Sequence, residues 1–197
     1  MKKKLESFLK LHEGKVRIAF SGGSDGFNDE TVLSNWIKTF LEKLPKEKVL
    51  LITGGTKGGL PGISTDAGNY FHIPVIGVVP LRAKTEDIHP NLSYLVRVPP
   101  QFDESNWGDE SEVFVKLAHA MICVGGKWGT AIEFTRAMSI NEANKRKNLS
   151  AKKIAVVECF GGFSSAVRTL PHTTREYLLL SKDGNHDQLL TFFCDLF

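Results

Sequence analysis

The amino-acid sequence predicts an α/β fold, a doubly wound, mostly parallel sheet of about six to seven strands flanked by helices, of the Rossmann-like kind. Short apolar runs rich in β-branched residues alternate along the chain with amphipathic segments of helix length. Each run is apolar on both of its alternating faces, which is typical of a parallel sheet covered on both sides. The connections are short, which favours right-handed crossovers in a β-α-β-α order.

Taken in order, the apolar runs predict six strands. They are Val16–Ser21, Val49–Thr53, Val75–Val79, Tyr94–Val98, Ala120–Val124 and Lys153–Val157.

The helical segments are the clearer part of the pattern. Val32, Trp36 and Phe40 belong to one apolar stripe that Pro45 ends, which is typical of an amphipathic helix. The predicted helices are Glu30–Leu44, Ser111–His119, Thr130–Asn144, an N-terminal helix within residues 1–14 and a last helix at Asp187–Leu196. With 197 residues, the chain suits a single domain over residues 1–197, with the N-terminal helix and a less periodic C-terminal appendage at about 163–197.

Composition narrows the class of protein. The formal net charge of +3 comes from scattered residues, which does not indicate a nucleic-acid partner. No apolar run approaches the roughly 20 residues of a membrane helix, and the N-terminus lacks the apolar region of a signal peptide. The three cysteines are an odd number without metal-site spacing, so we expect reduced thiols, a cytoplasmic location and no membrane partner.

No metal site is predicted either. His72, His89 and His172 have no partners at the spacing of metal ligands, so we interpret them as surface or core residues.

Glycine and small polar residues follow four of the predicted strands, the first, second, fifth and sixth, the last of these with Gly161 and Gly162. In a doubly wound sheet, ligands bind outside the carboxyl ends of the strands. Glycine lets backbone amides approach a ligand, and a loop that runs into a helix favours an anion such as phosphate. The candidate ligand and phosphate-binding residues are Gly22, Gly23, Ser24, Gly54, Gly55, Gly58, Gly59, Gly125, Gly126, Lys127, Gly129 and Thr130. The alternative is structural, because tight turns after strands need glycine anyway.

Two common nucleotide-binding motifs are absent. The first loop, residues 22–27, does not have the Gly-x-Gly-x-x-Gly pattern of dinucleotide-binding dehydrogenases. Gly54 and Gly59 have the glycine spacing of a Walker-type loop, but Leu60 stands where that loop has lysine. Both classes of enzyme are therefore disfavoured.

Glu133 is the candidate catalytic residue. It lies three residues after Thr130, near the start of a predicted helix. One interpretation is a capping box, in which the glutamate only satisfies backbone amides at the helix start. The other is a carboxylate beside a phosphate-binding loop, able to bond a ribose hydroxyl or to stabilise an oxocarbenium ion.

Three segments together resemble a known family. Ile52–Gly62 resembles the Gly-Gly-x-x-Gly-Leu-Met-Gly turn of the LONELY GUY (lysine-decarboxylase-like) proteins, and Val124–Glu133 resembles their Pro-Gly-Gly-x-Gly-Thr-x-x-Glu. Val75–Pro80 is similar to the apolar strand between the two motifs. The wider superfamily, SLOG, has a Rossmann-like fold and binds nucleotides or nucleotide-derived signals.

The resemblance implies a nucleoside 5′-monophosphate phosphoribohydrolase, which cleaves the N-glycosidic bond to give a base and ribose 5-phosphate. It implies that Gly58 and Gly59 contact the ligand and that Glu133 lies at the ribose. The residues that it implies for the phosphate are Gly125, Gly126, Gly129 and Thr130. It also implies a homodimer formed through helices near the glutamate motif, and no separate cofactor.

The sequence departs from the family pattern at three places. Lys127 and Trp128 separate Gly126 from Gly129, where the family has one residue, and Val124 replaces proline. The catalytic arginine of the family lies about fifteen residues before the glycine pair, where this chain has the acidic stretch Gly108–Val113. Arg82, Arg97 and Arg136 are the other arginines that could reach a site from another direction.

The missing arginine motivates a second hypothesis, a non-catalytic nucleotide sensor or carrier. A third and remoter hypothesis is a nucleoside deoxyribosyltransferase-like enzyme in which Glu133 is the nucleophile. The segment Gln101–Glu112 is either a loop over the site or a solvated helix entrance. Trp128 either stacks on a base or packs against a partner subunit, and Asp66 either reaches a ribose or stays exposed.

Overall fold

The strands form one sheet in the computed structural model, which describes residues 2–25, 27–170 and 176–197. The described strands are β1 (Val16–Gly22), β2 (Val49–Thr53), β3 (Val75–Pro80), β4 (Tyr94–Val98), β5 (Ala120–Val124), β6 (Lys153–Val157) and β7 (Leu178–Ser181). Their order across the sheet is β4-β3-β2-β1-β5-β6-β7, and every pairing is parallel.

Helices cover both faces of this sheet. The described α-helices are α1 (Lys2–Leu11), α2 (Glu30–Glu42), α3 (Gly59–Tyr70), α4 (Ser111–Leu117), α5 (Trp128–Arg146), α6 (Gly162–Ala166) and α7 (His186–Phe193). Successive residues of β1 face opposite cores: Phe20 packs with α2, α3 and α7, whereas Ala19 packs with α4 and α5. This alternation explains why the strands are apolar on both faces, since neither face meets solvent.

The predicted fold class and the six predicted strands are confirmed, each within one residue of its predicted ends. Helix α5 begins at Trp128, two residues earlier than predicted, and α2 ends at Glu42, two residues before the predicted end.

The seventh strand, β7, lies in the stretch that the sequence predicted as a less periodic appendage. It has four residues, three of them only partly buried, and it pairs with β6 alone. A short edge strand carries little of the apolar pattern by which buried strands are found.

Two residues covered by the sequence analysis, His172 and Gly26 of the first loop, lie outside the part of the chain that the structure describes. None of the described helices has the length and apolar character that a membrane span requires. All three cysteines are free thiols, with Cys123 buried and Cys159 and Cys194 exposed. The division of the chain into one domain with an appendage stays a prediction.

Candidate functional site

The loops after β1, β2 and β5 meet at the carboxyl edge of the sheet because these three strands are neighbours. Together with the segment before α4 they enclose an open cleft of about 380 Å³. The cleft is lined by Gly22, Gly23, Ser24, Asp25, Gly54, Thr56, Pro61, Trp107, Gly108, Glu110, Lys127, Trp128, Gly129, Thr130, Ile132 and Glu133.

The first two loops pack backbone against backbone. The Leu60 amide donates a hydrogen bond of 2.9 Å to the Gly23 carbonyl. A Cβ on Gly59, which has a φ of +53°, would lie 2.5 Å from that same carbonyl oxygen. A Cβ on Gly22 would lie 2.4 Å from the Val124 carbonyl oxygen on the neighbouring strand. Glycine is therefore required here by the approach of one chain segment to another.

The loop after β5 is held from behind by α6. The amide of Phe163 donates to the Gly126 carbonyl at 2.8 Å, and the amide of Ser164 donates to the Gly125 carbonyl at 3.1 Å. Gly126 has a φ of +81°, and a Cβ there would overlap the side chain of Thr130. These contacts fix the direction in which α5 leaves the loop.

Helix α5 presents an open N-terminus to the cleft. Its N-cap residue is Lys127, and no side chain caps the helix. The first amides of an α-helix have no acceptor within the helix, and they lie at the positive end of its dipole. A Cβ on Gly129 would meet no atom within 4 Å, so the space beside this residue, which lines the cleft, is open. The arrangement suits an anion.

The structure brings together eight of the thirteen residues predicted to form the site. Those that line the cleft are Gly22, Gly23, Ser24, Gly54, Lys127, Gly129, Thr130 and Glu133. Gly58 lines an adjoining depression. The other four, Gly55, Gly59, Gly125 and Gly126, are not among the lining residues, and all have positive φ in close packing. The contacts of these four glycines agree with the structural alternative, in which glycine is needed for the tight turns after the strands.

Glu133 faces the cleft from the second turn of α5. Its Oε2 accepts a hydrogen bond from Ser21 Oγ, at the end of β1. Ser21 is 1% exposed, so this bond is made at the floor of the cleft. Since the partner in this bond is a hydroxyl on a neighbouring strand and α5 has no side-chain cap, the capping-box interpretation does not describe Glu133.

Burial sets the acidity of this carboxyl. Desolvation raises the pKa of Glu133 to about 8, an effect that the Ser21 hydrogen bond opposes and the nearby charge of Glu110 increases. Desolvation also raises the pKa of Glu110, although the Gly108 amide donates to its Oε2 at 2.9 Å. At neutral pH, Glu133 is therefore mainly protonated and able to donate a proton or a hydrogen bond.

Several lining residues were not predicted. Trp107 and Glu110 come from the segment Gln101–Glu112, so that segment borders the site as a loop, which was one of the two interpretations. A side chain that reaches the cleft from a separate loop is not part of a continuous sequence motif, so local spacing does not indicate it. Ser21 bonds Glu133 from strand β1 without lining the cleft, and a serine within a buried apolar strand is a signal that indicates a polar partner.

Both tryptophans at the cleft are exposed. Trp107 is 53% exposed and Trp128 is 84% exposed, at the N-terminus of α5. The structure therefore keeps both interpretations of Trp128 open, since its ring is available to a ligand or to a second subunit.

The three arginines considered in the sequence analysis are engaged away from the cleft in the described part of the chain. Arg82 Nη1 donates to Asn106 Oδ1 at 3.0 Å, Arg97 Nη1 donates to the Ala83 carbonyl at 2.6 Å, and Arg136 Nη2 lies 2.9 Å from Glu112 Oε1. None of the three lines the cleft as the structure describes it.

Lys127 is the only lysine or arginine among the described residues that line the cleft, and its Nζ lies 3.3 Å from a carboxylate oxygen of Asp25. The described lining of the cleft therefore contains one cation and three carboxyl groups, those of Asp25, Glu110 and Glu133.

Asp66 and His89 form a pair away from the cleft. His89 is 7% exposed, and its Nε2 lies 3.0 Å from Asp66 Oδ1. Asp66 is thus bound to a histidine and does not reach the cleft. Within the residues that the structure describes, no three histidine, cysteine or acidic side chains are placed to share a metal ion.

A parallel doubly wound sheet with an open cleft at its carboxyl edge defines a protein of the Rossmann-like fold class. The model of the SLOG cluster4 family matches residues 16–151, which include every predicted site residue. The chain belongs to the SLOG cluster4 family.

Solved structures support the same fold at low sequence identity. The structural-genomics target TM1055 has a TM-score of 0.69 at 18% identity, covering 91% of this chain and 99% of that one. The molybdenum cofactor carrier protein from Chlamydomonas reinhardtii has a TM-score of 0.59 at 17% identity, covering 91% and 99%. The molybdenum cofactor binding protein from Rippkaea orientalis has a TM-score of 0.59 at 15% identity, covering 90% and 95%. A sequence search of curated proteins found no significant match.

Replacing Glu133 with glutamine is expected to remove a pH dependence of stability. The folded protein keeps the Glu133 proton up to a pKa of about 8, whereas the ordinary value is 4.5. Between these values the folded state binds more protons than the unfolded state, so the free energy of unfolding falls as the pH rises. Glutamine does not ionise. Relative to wild type, the free energy of unfolding of Glu133→Gln should therefore rise by about 4 kcal/mol between pH 5 and pH 9.

Urea unfolding at pH 5, 7 and 9 measures this difference. Glu13→Gln, at an exposed glutamate outside the cleft, is the matched control and should follow wild type. Parallel curves for Glu133→Gln and wild type would contradict the assignment of a protonated Glu133.

Proposed function

We propose that this protein binds a ribonucleotide through its phosphate, in the cleft at the N-terminus of α5. The observation that carries the proposal is the first turn of α5, which opens into the cleft with no side-chain cap and with free space at Gly129. Backbone amides and the helix dipole favour a phosphate at such a position. Lys127, the N-cap residue, adds a positive charge at the same point.

Filling the space in front of α5 should abolish this binding. In Gly129→Val the added side chain enters open space, so the fold is kept. The valine side chain then occupies the position proposed for phosphate. A ligand at about 100 times its Kd stabilises a protein by about 2.7 kcal/mol, which is a clear rise in Tm. We expect adenosine 5′-monophosphate to raise the Tm of wild type and to leave that of Gly129→Val unchanged.

The matched control is Ser139→Val, which places the same β-branched residue at an exposed position of the same helix. It should bind as wild type does. If no nucleoside monophosphate shifts the Tm of wild type at millimolar concentration, the nucleotide proposal fails.

The finer proposal is that the bound nucleotide is hydrolysed at its N-glycosidic bond. Water adds to the anomeric carbon, the bond from that carbon to the base breaks, and the base leaves with a proton. A protonated Glu133 is suited to donate that proton, and Glu110 supplies a second carboxyl group in the same cleft. The resemblance to the LONELY GUY motif, in which the matching glutamate lies at the ribose, supports the same role for Glu133.

Chromatography of nucleoside monophosphates incubated with the protein tests this reaction. Wild type should release free base, and Glu133→Ala should release it at least about 100-fold more slowly, since general acid catalysis contributes 10²–10⁴-fold. Asn144→Ala, on the same helix away from the cleft, should keep the wild-type rate. Intact nucleotide in every sample would overturn hydrolysis.

A second candidate function is that of a carrier or sensor without catalysis. The specific observation is that no arginine lines the cleft among the described residues, so a charged group that the hydrolases use is absent. Two structural neighbours are described as proteins that carry or bind the molybdenum cofactor, which makes such a cofactor a candidate cargo. Tight binding of a phosphate-bearing ligand without turnover would select this function.

A deoxyribosyltransferase-like reaction is less well supported. That reaction requires an ionised Glu133 as nucleophile, whereas burial keeps this carboxyl protonated at neutral pH. A covalent deoxyribosyl adduct on Glu133, detected by mass spectrometry, would restore it.

The assembly and location of the protein are also proposals. Trp128 and Ile132 lie one turn apart on α5, are 84% and 48% exposed, and form an apolar strip suited to a second copy of the chain. We propose a homodimer, and light scattering of the purified protein should give twice the 21.8 kDa of one chain. A monomeric mass at micromolar concentration would contradict it. The free thiols of Cys159 and Cys194 fit a reducing, cytoplasmic compartment, which cell fractionation would test.

A further inference from the structure

The cleft continues beyond the part described above. A second depression of about 450 Å³ shares Ser24, Thr56 and Trp107 with the first. We call the part in front of α5 the first lobe, and we call the part lined by Lys57, Gly58, Glu86 and Asp87 the second lobe. Each lobe alone lies in the range of about 300–1,000 Å³ found for small-ligand pockets.

The loop between β2 and α3 lines the second lobe and is held by backbone contacts with the segment that contains Asp87. These contacts fix the shape of the second lobe. Thr56 forms an antiparallel bridge with Ile88. The Lys57 amide donates to the Asp87 carbonyl at 2.9 Å, and the His89 amide donates to the Gly55 carbonyl at 2.9 Å. The two segments that line the second lobe, residues 56–58 and 86–87, are thereby joined through their backbones.

Thr56 stands where the two lobes meet and has an unused polar group. Its Oγ1 is buried and has no hydrogen-bond partner among the described residues. Leaving a buried hydroxyl without a partner is unfavourable, and native proteins rarely do so. A ligand that passes from one lobe to the other would supply the missing partner.

The second lobe differs from the first in its charges. Lys57 provides a cation, and Glu86 and Asp87 provide exposed carboxylates. A lysine suits a second phosphate, and carboxylates accept hydrogen bonds from sugar hydroxyls. The Trp107 ring, 53% exposed, borders both lobes and offers a surface to a planar base.

We infer that the cleft takes a dinucleotide, that is, two nucleosides joined through a pyrophosphate, with one phosphate at the N-terminus of α5 and the other beside Thr56 and Lys57. The second nucleoside then lies in the second lobe with its ribose hydroxyls toward Glu86 and Asp87. This inference rests on the proposed nucleotide binding, and it names the class of ligand that fills both lobes.

Calorimetric titration with adenosine 5′-monophosphate and with diadenosine pyrophosphate tests the inference, because the second compound consists of two copies of the first. Wild type should bind diadenosine pyrophosphate at least about tenfold more tightly. Thr56→Val and Lys57→Ala should each lose about five- to tenfold in affinity for the dinucleotide. Lys57→Ala should keep its affinity for the mononucleotide within about twofold, because Lys57 lines only the second lobe. Lys147→Ala removes an equal charge from an exposed position outside both lobes and should change neither affinity.

Thr56→Val also separates a binding role from a structural one. Because the hydroxyl has no partner in the described protein, its removal should leave the Tm of the free protein unchanged or higher while the dinucleotide binds less tightly.

The outcomes distinguish the two proposals. Equal affinity of wild type for both compounds would overturn the dinucleotide inference and leave nucleotide binding standing. Equal losses for both compounds in Lys57→Ala would also overturn it, since the second lobe would then not bind a separate part of the ligand. Failure of wild type to bind either compound would overturn the proposed function and this inference together.

Discussion

The structure of the cleft depends on close approach between glycine-containing backbones at the carboxyl edge of the sheet. The loop after β1 receives a hydrogen bond from the first turn of α3, and the loop after β5 receives two from α6. At Gly22, Gly59 and Gly126, a side chain would overlap its neighbours. With these contacts made, the direction of α5 is determined, and so are the positions of Glu133 and of the open amides. The positions of the chemical groups in the site therefore depend on how the loops pack.

The acidity of Glu133 follows from the same arrangement. Because β1 and β5 are neighbours, the Ser21 hydroxyl lies under the helix that follows β5 and can bond the carboxyl group. Desolvation raises the pKa of the carboxyl group by more than the hydrogen bond from this one hydroxyl lowers it. A carboxyl group placed this way keeps its proton near neutral pH, which is the state that a general acid needs.

The comparisons agree on fold and leave the chemistry to a few side chains. Proteins of 15–18% identity share the sheet over 90% or more of this chain, yet two of them are described as molybdenum cofactor carrier or binding proteins. One fold therefore supports several uses, and what distinguishes them is local. In this chain the local features are a protonated glutamate, one lysine opposed by three carboxyl groups, and a cleft that extends past Thr56.

Much of the fold could be read from the sequence, because each buried strand of a parallel sheet is apolar on both faces and each covering helix carries an apolar stripe. That pattern located six strands and the position of the glycine loops. It did not indicate β7, since a short edge strand has little burial to reveal it. Glu133 could also be found from the sequence, because it belongs to a motif that is continuous along the chain.

The tertiary structure alone decided what surrounds that glutamate. Ser21, Glu110 and Trp107 come from separate segments, and no spacing within one segment shows that they meet. Likewise, a glycine required by a close backbone contact and a glycine open to a ligand are identical in the sequence. Gly126 and Gly129 differ only in what a Cβ would touch, which depends on the packing of segments that are distant along the chain.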